Sequence, residues 1–120
     1  MSSSAVKRIL SGSTDGKAIK ITQTGTPGDT IHTAVAGQTA GTYDEIWLWA
    51  YNGHTDNVLL TIEFGGDGVP DQNIVANIPF MSGLIPVVPG FLLQNEMVVK
   101  AFASTANVIT LNGFVNAITD

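Results

Sequence analysis

Cysteine and histidine, two residue types that often perform nucleophilic or acid–base chemistry, are scarce in this sequence. The chain has no cysteine and only two histidines, His32 and His54. A hydrolase needs a nucleophile with a base within hydrogen-bond reach, and neither histidine lies in such a motif. We expect both histidines at exposed strand or loop positions. Glu63 and Glu96 could be imagined as the paired carboxylates of a glycosidase, but each is flanked by core-like residues. The sequence therefore predicts no catalytic residue and no enzymatic activity.

Oxygen-rich loops could hold a calcium ion. His54 and Asp56 lie in one predicted loop, and Asp67 and Asp71 lie in another that is rich in glycine. No segment has the ligand spacing of an EF-hand, and aspartate in a glycine-rich loop usually serves the turn itself. The absence of cysteine excludes a thiolate metal site and a disulfide framework. We expect no metal and no cofactor.

The aromatic row Trp47, Trp49 and Tyr51 is the strongest candidate for binding. These side chains alternate with Ile46, Leu48 and Ala50, so a strand would place the two sets on opposite faces. Aromatic side chains bury much area and dominate interfaces. The row could belong to the core, to a subunit interface, or to a flat platform for sugar rings. We name Trp47, Trp49 and Tyr51 as candidate oligomer-interface residues and keep the sugar platform as the alternative.

This row lies in the stretch around which the chain is organised, residues 44–64. Two apolar runs alternate at period two and flank the short polar loop 52–57, which contains the turn dipeptide Asn52-Gly53. The pattern predicts a β-hairpin. In its second strand the residues Val58, Leu60, Ile62 and Phe64 would form a continuous apolar face.

Length and composition limit the class of protein. The 120 residues fit one domain, 44% of them are apolar, and only 12% are charged, about half the usual ~25%. The net charge of −5 argues against a protein that binds the phosphate backbone of nucleic acids, which needs a basic patch. The N-terminus does not resemble a signal peptide, and no apolar run approaches the ~20 residues of a membrane helix. We expect assembly in a cytoplasm, with no nucleic-acid or membrane partner.

Short alternating runs recur along the rest of the chain, and no stretch of ten residues shows clear helical periodicity. Pro79, Pro86 and Pro89 restrict their segments to sheet edges or short pieces, because proline cannot donate to a ladder. The sequence predicts an all-β fold: one β-sandwich of jelly-roll type with eight or nine short antiparallel strands. We divide the chain into an N-terminal arm and linker, 1–16, and a sandwich domain, 17–120.

The predicted arm combines apolar and basic side chains. It could be an edge strand at a frayed end, or an arm that adds as a strand to a neighbouring protein. In the second case the binding residues would be Val6, Lys7, Arg8, Ile9 and Leu10.

The second half of the chain resembles a known family. Residues 57–66 form an apolar strand ending in Gly-Gly, residues 78–79 are Ile-Pro, residues 87–90 are Val-Val-Pro-Gly, and residues 98–118 close the chain with two further strands. This order resembles the small decoration, or cement, proteins on the capsids of tailed bacteriophages. The resemblance covers residues 43–118 and does not extend to the N-terminal forty. It implies a compact β fold, frequent trimerisation and an N-terminal arm that grips capsid subunits.

From the resemblance we expect a structural virion protein on the outer capsid surface, assembled in the host cytoplasm. Its partners would be the major capsid protein and two further copies of itself. The alternative is a receptor- or glycan-binding tip module of a phage tail fibre, because fibre modules are also small oligomeric β domains.

Overall fold

The computed structural model describes residues 4–120 of the chain and shows nine strands. The strands are β1 (Ser4–Ile9), β2 (Ile19–Lys20), β3 (Asp29–Thr33), β4 (Tyr43–Asn52), β5 (Val58–Phe64), β6 (Asn73–Ile78), β7 (Ile85–Leu93), β8 (Val98–Ala103) and β9 (Ile109–Thr119). No helix that could span a membrane occurs among these residues.

The strands form two antiparallel sheets. The first sheet has the order β1-β9-β4-β7, with β2 paired to β9 next to β1, and the second has the order β3-β8-β5-β6. From β2 onward, every connection passes from one sheet to the other except the β5–β6 hairpin. This interleaved order is that of a jelly roll. The prediction of an all-β sandwich of jelly-roll type is therefore confirmed.

The core lies between the sheets and follows from period-two alternation. Along β4 every second residue is buried, so Ile46, Leu48 and Ala50 point inward while the aromatic row points outward. Strand β5 contributes Leu60 and Ile62 from the second sheet. Each fully buried side chain of this size stabilises the fold by roughly 1.5–3 kcal/mol of transfer free energy. The predicted alternation of β4 and the predicted apolar face of β5 are confirmed.

The predicted hairpin is wrong, because β4 and β5 belong to opposite sheets. Both strands carry an apolar face, and these faces meet across the core instead of lying side by side. The Asn52 side chain, which is fully buried, organises the crossing. Its amide nitrogen donates to the carbonyl oxygens of Asp56 (2.9 Å) and Ile78 (2.9 Å), and its oxygen accepts from the His54 N–H (2.8 Å). Asn52 thus closes a crossover loop rather than a two-residue turn.

Strand β7 confirms the prediction made from its prolines. It lies at the edge of the first sheet, where Pro86 and Pro89 pair with Trp49 and Trp47 of β4. Two register shifts interrupt the pairing with β4, one between Ile46 and Trp47 and one between Leu48 and Trp49. Prolines and bulges discourage the addition of another strand, so this edge of the sheet is protected.

The N-terminal segment joins the sandwich through β1, which pairs with β9 along its whole length. All six side chains of β1 are exposed, whereas the next residue, Leu10, is only 2% exposed and belongs to the core. Residues 1–3 of the predicted arm lie outside the described residues. Because β1 is an edge strand, one of its backbone edges has no partner strand within residues 4–120.

Candidate interaction face on the first sheet

The outer face of the first sheet carries three aromatic rings in contact, Trp47 and Trp49 of β4 and Phe114 of β9. Phe114 pairs in register with Trp47. The ring centroids are 6.3 Å apart for the two tryptophans, 6.3 Å for Trp47 and Phe114, and 6.1 Å for Trp49 and Phe114, with interplanar angles of 17°, 15° and 25°. All three side chains are half-buried. We call this set the aromatic face.

A polar group fixes the orientation of one indole. The Trp47 Nε1–H donates to Glu45 Oε1 at 2.7 Å, and the Asn116 side-chain amide donates to the same oxygen at 2.9 Å. The hydrogen bonds from Asn116 and from Trp47 lower the pKa of the Glu45 carboxyl below its usual value, because both favour the ionised form. The face therefore presents a carboxylate and an amide beside its rings.

On the β7 side the Trp47 ring lies against the backbone of Gly90. A Cβ atom at Gly90 would be 2.7 Å from the ring, and the residue has a φ of +84°, so glycine is required here for both reasons. Exposed Pro86, Pro89 and Leu92 extend the apolar surface beyond the rings.

On the other side the face continues onto β1. Ile9 pairs with Phe114 in register and is 54% exposed. The Lys7 ammonium lies 5.1 Å from the centroid of the Phe114 ring, within the range of a cation–π contact. The predicted arm and the predicted aromatic row, which are separate in sequence, thus form one continuous surface.

The structure places the remaining predicted binding residues in different environments. Tyr51 lies on the same face of β4, half-buried and opposite Thr110, but outside the stacked set. Val6 and Arg8 lie on the opposite face of β1 from Lys7 and Ile9, and both are exposed. Leu10 fills the core and cannot reach a partner protein. Since Trp47 and Trp49 point outward, they do not belong to the sandwich core.

Sequence reasoning missed Phe114, Glu45 and Asn116 as members of this face. Alternation along β9 places Ile109, Leu111 and Val115 on one side of the strand and leaves Phe114 and Asn116 on the other. The sequence contains no local signal, however, for which strand pairs with β9.

The histidines differ from expectation. His32 is 5% exposed, so the expectation that it is exposed is wrong; a β-bulge at this point of β3 turns both Ile31 and His32 inward. Its Nε2 lies 2.7 Å from Asp44 Oδ2, and its Nδ1 accepts from the Ser11 backbone N–H at 3.0 Å. Although serine, histidine and aspartate meet here, the Ser11 hydroxyl does not contact the imidazole and instead accepts from the Thr33 N–H. The arrangement does not activate a nucleophile.

Glu63 and Glu96 line the same cleft of about 410 Å³ on the second sheet. Glu63 is 2% exposed, and both of its oxygens are engaged: the Thr26 hydroxyl donates at 2.8 Å and the Gly28 N–H donates at 2.7 Å. Glu63 therefore holds the β2–β3 loop against the sheet, which accounts for its burial. Within residues 4–120, no group of three histidine, aspartate or glutamate side chains is placed to hold a metal ion.

Comparison of the chain with protein-family models, curated proteins and solved structures finds no match.

Proposed function

We propose that this protein is a structural subunit of a virion, a decoration protein on the capsid of a tailed bacteriophage, which assembles as a homotrimer. The observation that carries the proposal is the aromatic face. A monomer rarely exposes a contiguous apolar patch of more than a few hundred Å², and such patches mark interfaces. Interface cores are rich in tryptophan, tyrosine and phenylalanine, and the three stacked rings match that composition, with the charges of Glu45 and Lys7 beside them.

The protein would use two surfaces, one to contact sister subunits and one to contact the capsid. The aromatic face would pack against sister subunits around the trimer axis. The free backbone edge of β1 would pair with a strand of the major capsid protein, because main-chain hydrogen bonds supply affinity in such additions. Three copies of this weak contact would bind far more firmly than one. The bound trimer would thereby bridge neighbouring capsid subunits and oppose the outward pressure of packaged DNA.

The trimer is tested by light scattering at micromolar concentration. We expect the mass of three chains for the wild type and a shift toward one chain for Trp49→Ser, which removes one of the three rings of the face. The matched control is Leu59→Ser, which removes an exposed apolar residue (50% exposed) from the outer side of the second sheet. A monomeric wild type, or equal effects of the two substitutions, would contradict an interface at the aromatic face.

Capsid attachment is tested by deleting residues 1–9. No side chain of β1 is buried, so the truncated chain, which keeps Leu10, should remain folded. It should lose binding to shells of the major capsid protein encoded beside this chain. Full occupancy by the truncated chain would move the contact to the body of the sandwich. The absence of a neighbouring capsid gene would count against the whole proposal.

A second candidate, a glycan-binding tip module of a phage tail fibre, is favoured by one observation. The Glu45 carboxylate and the Asn116 amide lie beside the indoles, and sugar sites combine aromatic surfaces with such polar groups. Quenching of tryptophan fluorescence by soluble oligosaccharides, lost in Trp49→Ser, would support it. Burial of both indoles in a trimer would exclude it.

A further inference from the structure

A buried polar cluster joins the N-terminal segment to both sheets. It consists of Ser11, His32 on β3 and Asp44 on β4, and we call it the His32 cluster. His32 and Asp44 are each 5% exposed and form the only ion pair within the described part of the chain, if the imidazole is charged. The proposed function makes no use of this cluster.

The hydrogen bonds assign the position of the proton on the imidazole. A backbone N–H can only donate, so His32 Nδ1, which lies 3.0 Å from the Ser11 nitrogen, must accept with its lone pair. The proton of the neutral ring is therefore on Nε2, from which it is donated to the Asp44 carboxylate at 2.7 Å. In this state every polar atom of the ring is satisfied.

The same cluster belongs to a clip that holds residues 10–12 against β3. The Thr33 N–H donates to the Ser11 hydroxyl at 2.8 Å, and the Gly12 N–H donates to the Ile31 carbonyl at 2.9 Å. Strand β1 precedes this clip directly and buries none of its own side chains. The clip and the backbone ladder to β9 are therefore what fix β1 on the sandwich.

Within residues 4–120, no other charged group forms an ion pair with His32 or Asp44. On β8 the residue in register with His32 is Val99. The residues in register with Asp44 are Ala117 on β9 and Leu93 on β7. The basic residues of β1 make no ion pair with Asp44 within 4.0 Å. The charge state of the cluster thus depends on His32 and Asp44 alone.

We propose that the His32 cluster is an acid-operated latch for the N-terminal strand. When a proton from solvent binds to His32 Nδ1, that nitrogen becomes a donor and faces the Ser11 N–H, so the hydrogen bond between them is lost. The Nε2–H to Asp44 contact remains and gains the attraction of opposite charges. Acid therefore removes one of the three hydrogen bonds of the clip and weakens its hold on β1, while the contact between the two sheets stays in place.

The inference does not rest on the proposed function, because it concerns only the order of the N-terminal segment. If β1 is also the capsid-binding element, the latch would set the pH below which β1 can leave its own sheet and pair elsewhere.

The test is amide hydrogen exchange measured by NMR at about pH 7.5 and about pH 5.5. Protection factors correct for the intrinsic pH dependence of exchange. At the lower pH we expect the protection factors of Ser11 and Gly12 to fall about tenfold or more, because local hydrogen bonds are lost. The protection factors of β1 should fall with them. The factors of β4 and β5 should not change. Unchanged protection at Ser11, or an equal loss across the core, would overturn the proposal.

Two variants separate the latch from general acid sensitivity. In His32→Asn the side-chain oxygen can still accept from the Ser11 N–H but does not titrate, so protection should be the same at both pH values. His54→Asn removes the other histidine and should keep the wild-type response. If His32→Asn does not fold, an NMR pH titration of the wild type takes its place. The chemical shifts of the Ser11 amide and of the His32 ring protons must then change with the same midpoint. Different midpoints would exclude the latch.

Discussion

The Glu45 side chain links the Trp47 indole on β4 to the amide of Asn116 on the neighbouring strand. Its oxygen accepts both donors, at 2.7 Å and 2.9 Å, and this fixes the ring orientation on an otherwise apolar surface. A surface whose rings are held in one orientation loses less conformational entropy when a partner binds. The carboxylate is therefore a positioning group for the aromatic face.

The ionisation of Glu45 predicts a pH effect at Trp47. Because the folded-state pKa lies below the usual value of 4.5, this contribution to stability is fully present above pH 4.5 and is lost as the pH falls through the folded-state pKa. In an NMR titration, the Trp47 indole N–H resonance should shift with a midpoint below 4.5. The Trp49 indole is the internal reference and should not follow it. In Glu45→Gln the transition at Trp47 should vanish, and its persistence would show that another group causes it.

Gly12 is a second residue whose identity the packing dictates. A Cβ atom there would be 2.4 Å from the Thr30 carbonyl oxygen, so Gly12→Ala must push residues 10–12 away from β3. We expect the free energy of unfolding to fall by about 1–3 kcal/mol, as for overpacking elsewhere. The control is Gly25→Ala, where a Cβ would meet nothing within 4 Å. Chemical denaturation of both variants gives the comparison, and equal stability of the two would refute the close approach.

At the scale of elements, the β2–β3 loop shows how a segment without regular structure is fixed by two carboxylates. Asp29, at the start of β3, accepts from the Thr22 hydroxyl at 2.7 Å and from the backbone N–H groups of Thr22 (2.6 Å) and Gln23 (3.1 Å). Burial acts to raise the pKa of Asp29, but these hydrogen bonds outweigh it and lower the pKa. Glu63 holds the other end of the loop from the second sheet.

Glu63→Gln should therefore loosen this loop. Glutamine keeps one acceptor oxygen, but its amide group would face a donor, either the Thr26 hydroxyl or the Gly28 N–H. We expect a loss of about 1–3 kcal/mol in the free energy of unfolding, measured by urea denaturation. Glu96→Gln changes an exposed carboxylate of the same cleft and should stay within about 0.5 kcal/mol. If both variants are equally stable, Glu63 does not hold the loop.

The two edges of the first sheet differ as elements. Strand β7 carries prolines and register shifts, whereas β1 pairs regularly with β9 and leaves its other edge free. Edge strands without such protection are the ones to which other chains add. This asymmetry supports β1, rather than β7, as the strand that meets a partner.

At the scale of the whole molecule, the sandwich is elongated, with principal extents of 51 × 27 × 21 Å. Among residues 4–120 it has no helix, no cysteine and no group of three histidine, aspartate or glutamate side chains placed to hold a metal ion. Apolar burial between the two sheets and polar groups satisfied within the chain contribute to its stability. Among buried side-chain polar atoms of the described residues, only Asn73 Oδ1 has no partner.

Chelation should consequently leave the melting temperature unchanged. We expect EDTA to shift Tm by less than about 1 °C, since each kcal/mol would move it by several degrees in a chain of this length. A fall of several degrees that calcium reverses would show that the Asp67–Asp71 loop binds a metal. The substitution Asp67→Asn would then be expected to abolish that response.

The sequence by itself determined the β class, the approximate number of strands and the two faces of β4. Period-two alternation is a local property, and it separated Ile46 and Leu48 from Trp47 and Trp49 without knowledge of any neighbour, but it left open whether the tryptophans belong to the core. The prolines likewise limited β7 to a sheet edge or a short piece, because proline has no N–H to donate to a neighbouring strand.

Only the tertiary structure decided which strands are neighbours. Strands β4 and β5 are adjacent in sequence but face each other across the core, while Trp47 meets Phe114 of the distant β9. His32 is buried because of a bulge, and Leu10 because the segment after β1 turns inward. Strand pairing depends on how all apolar faces can be covered at once, and no local pattern contains that information.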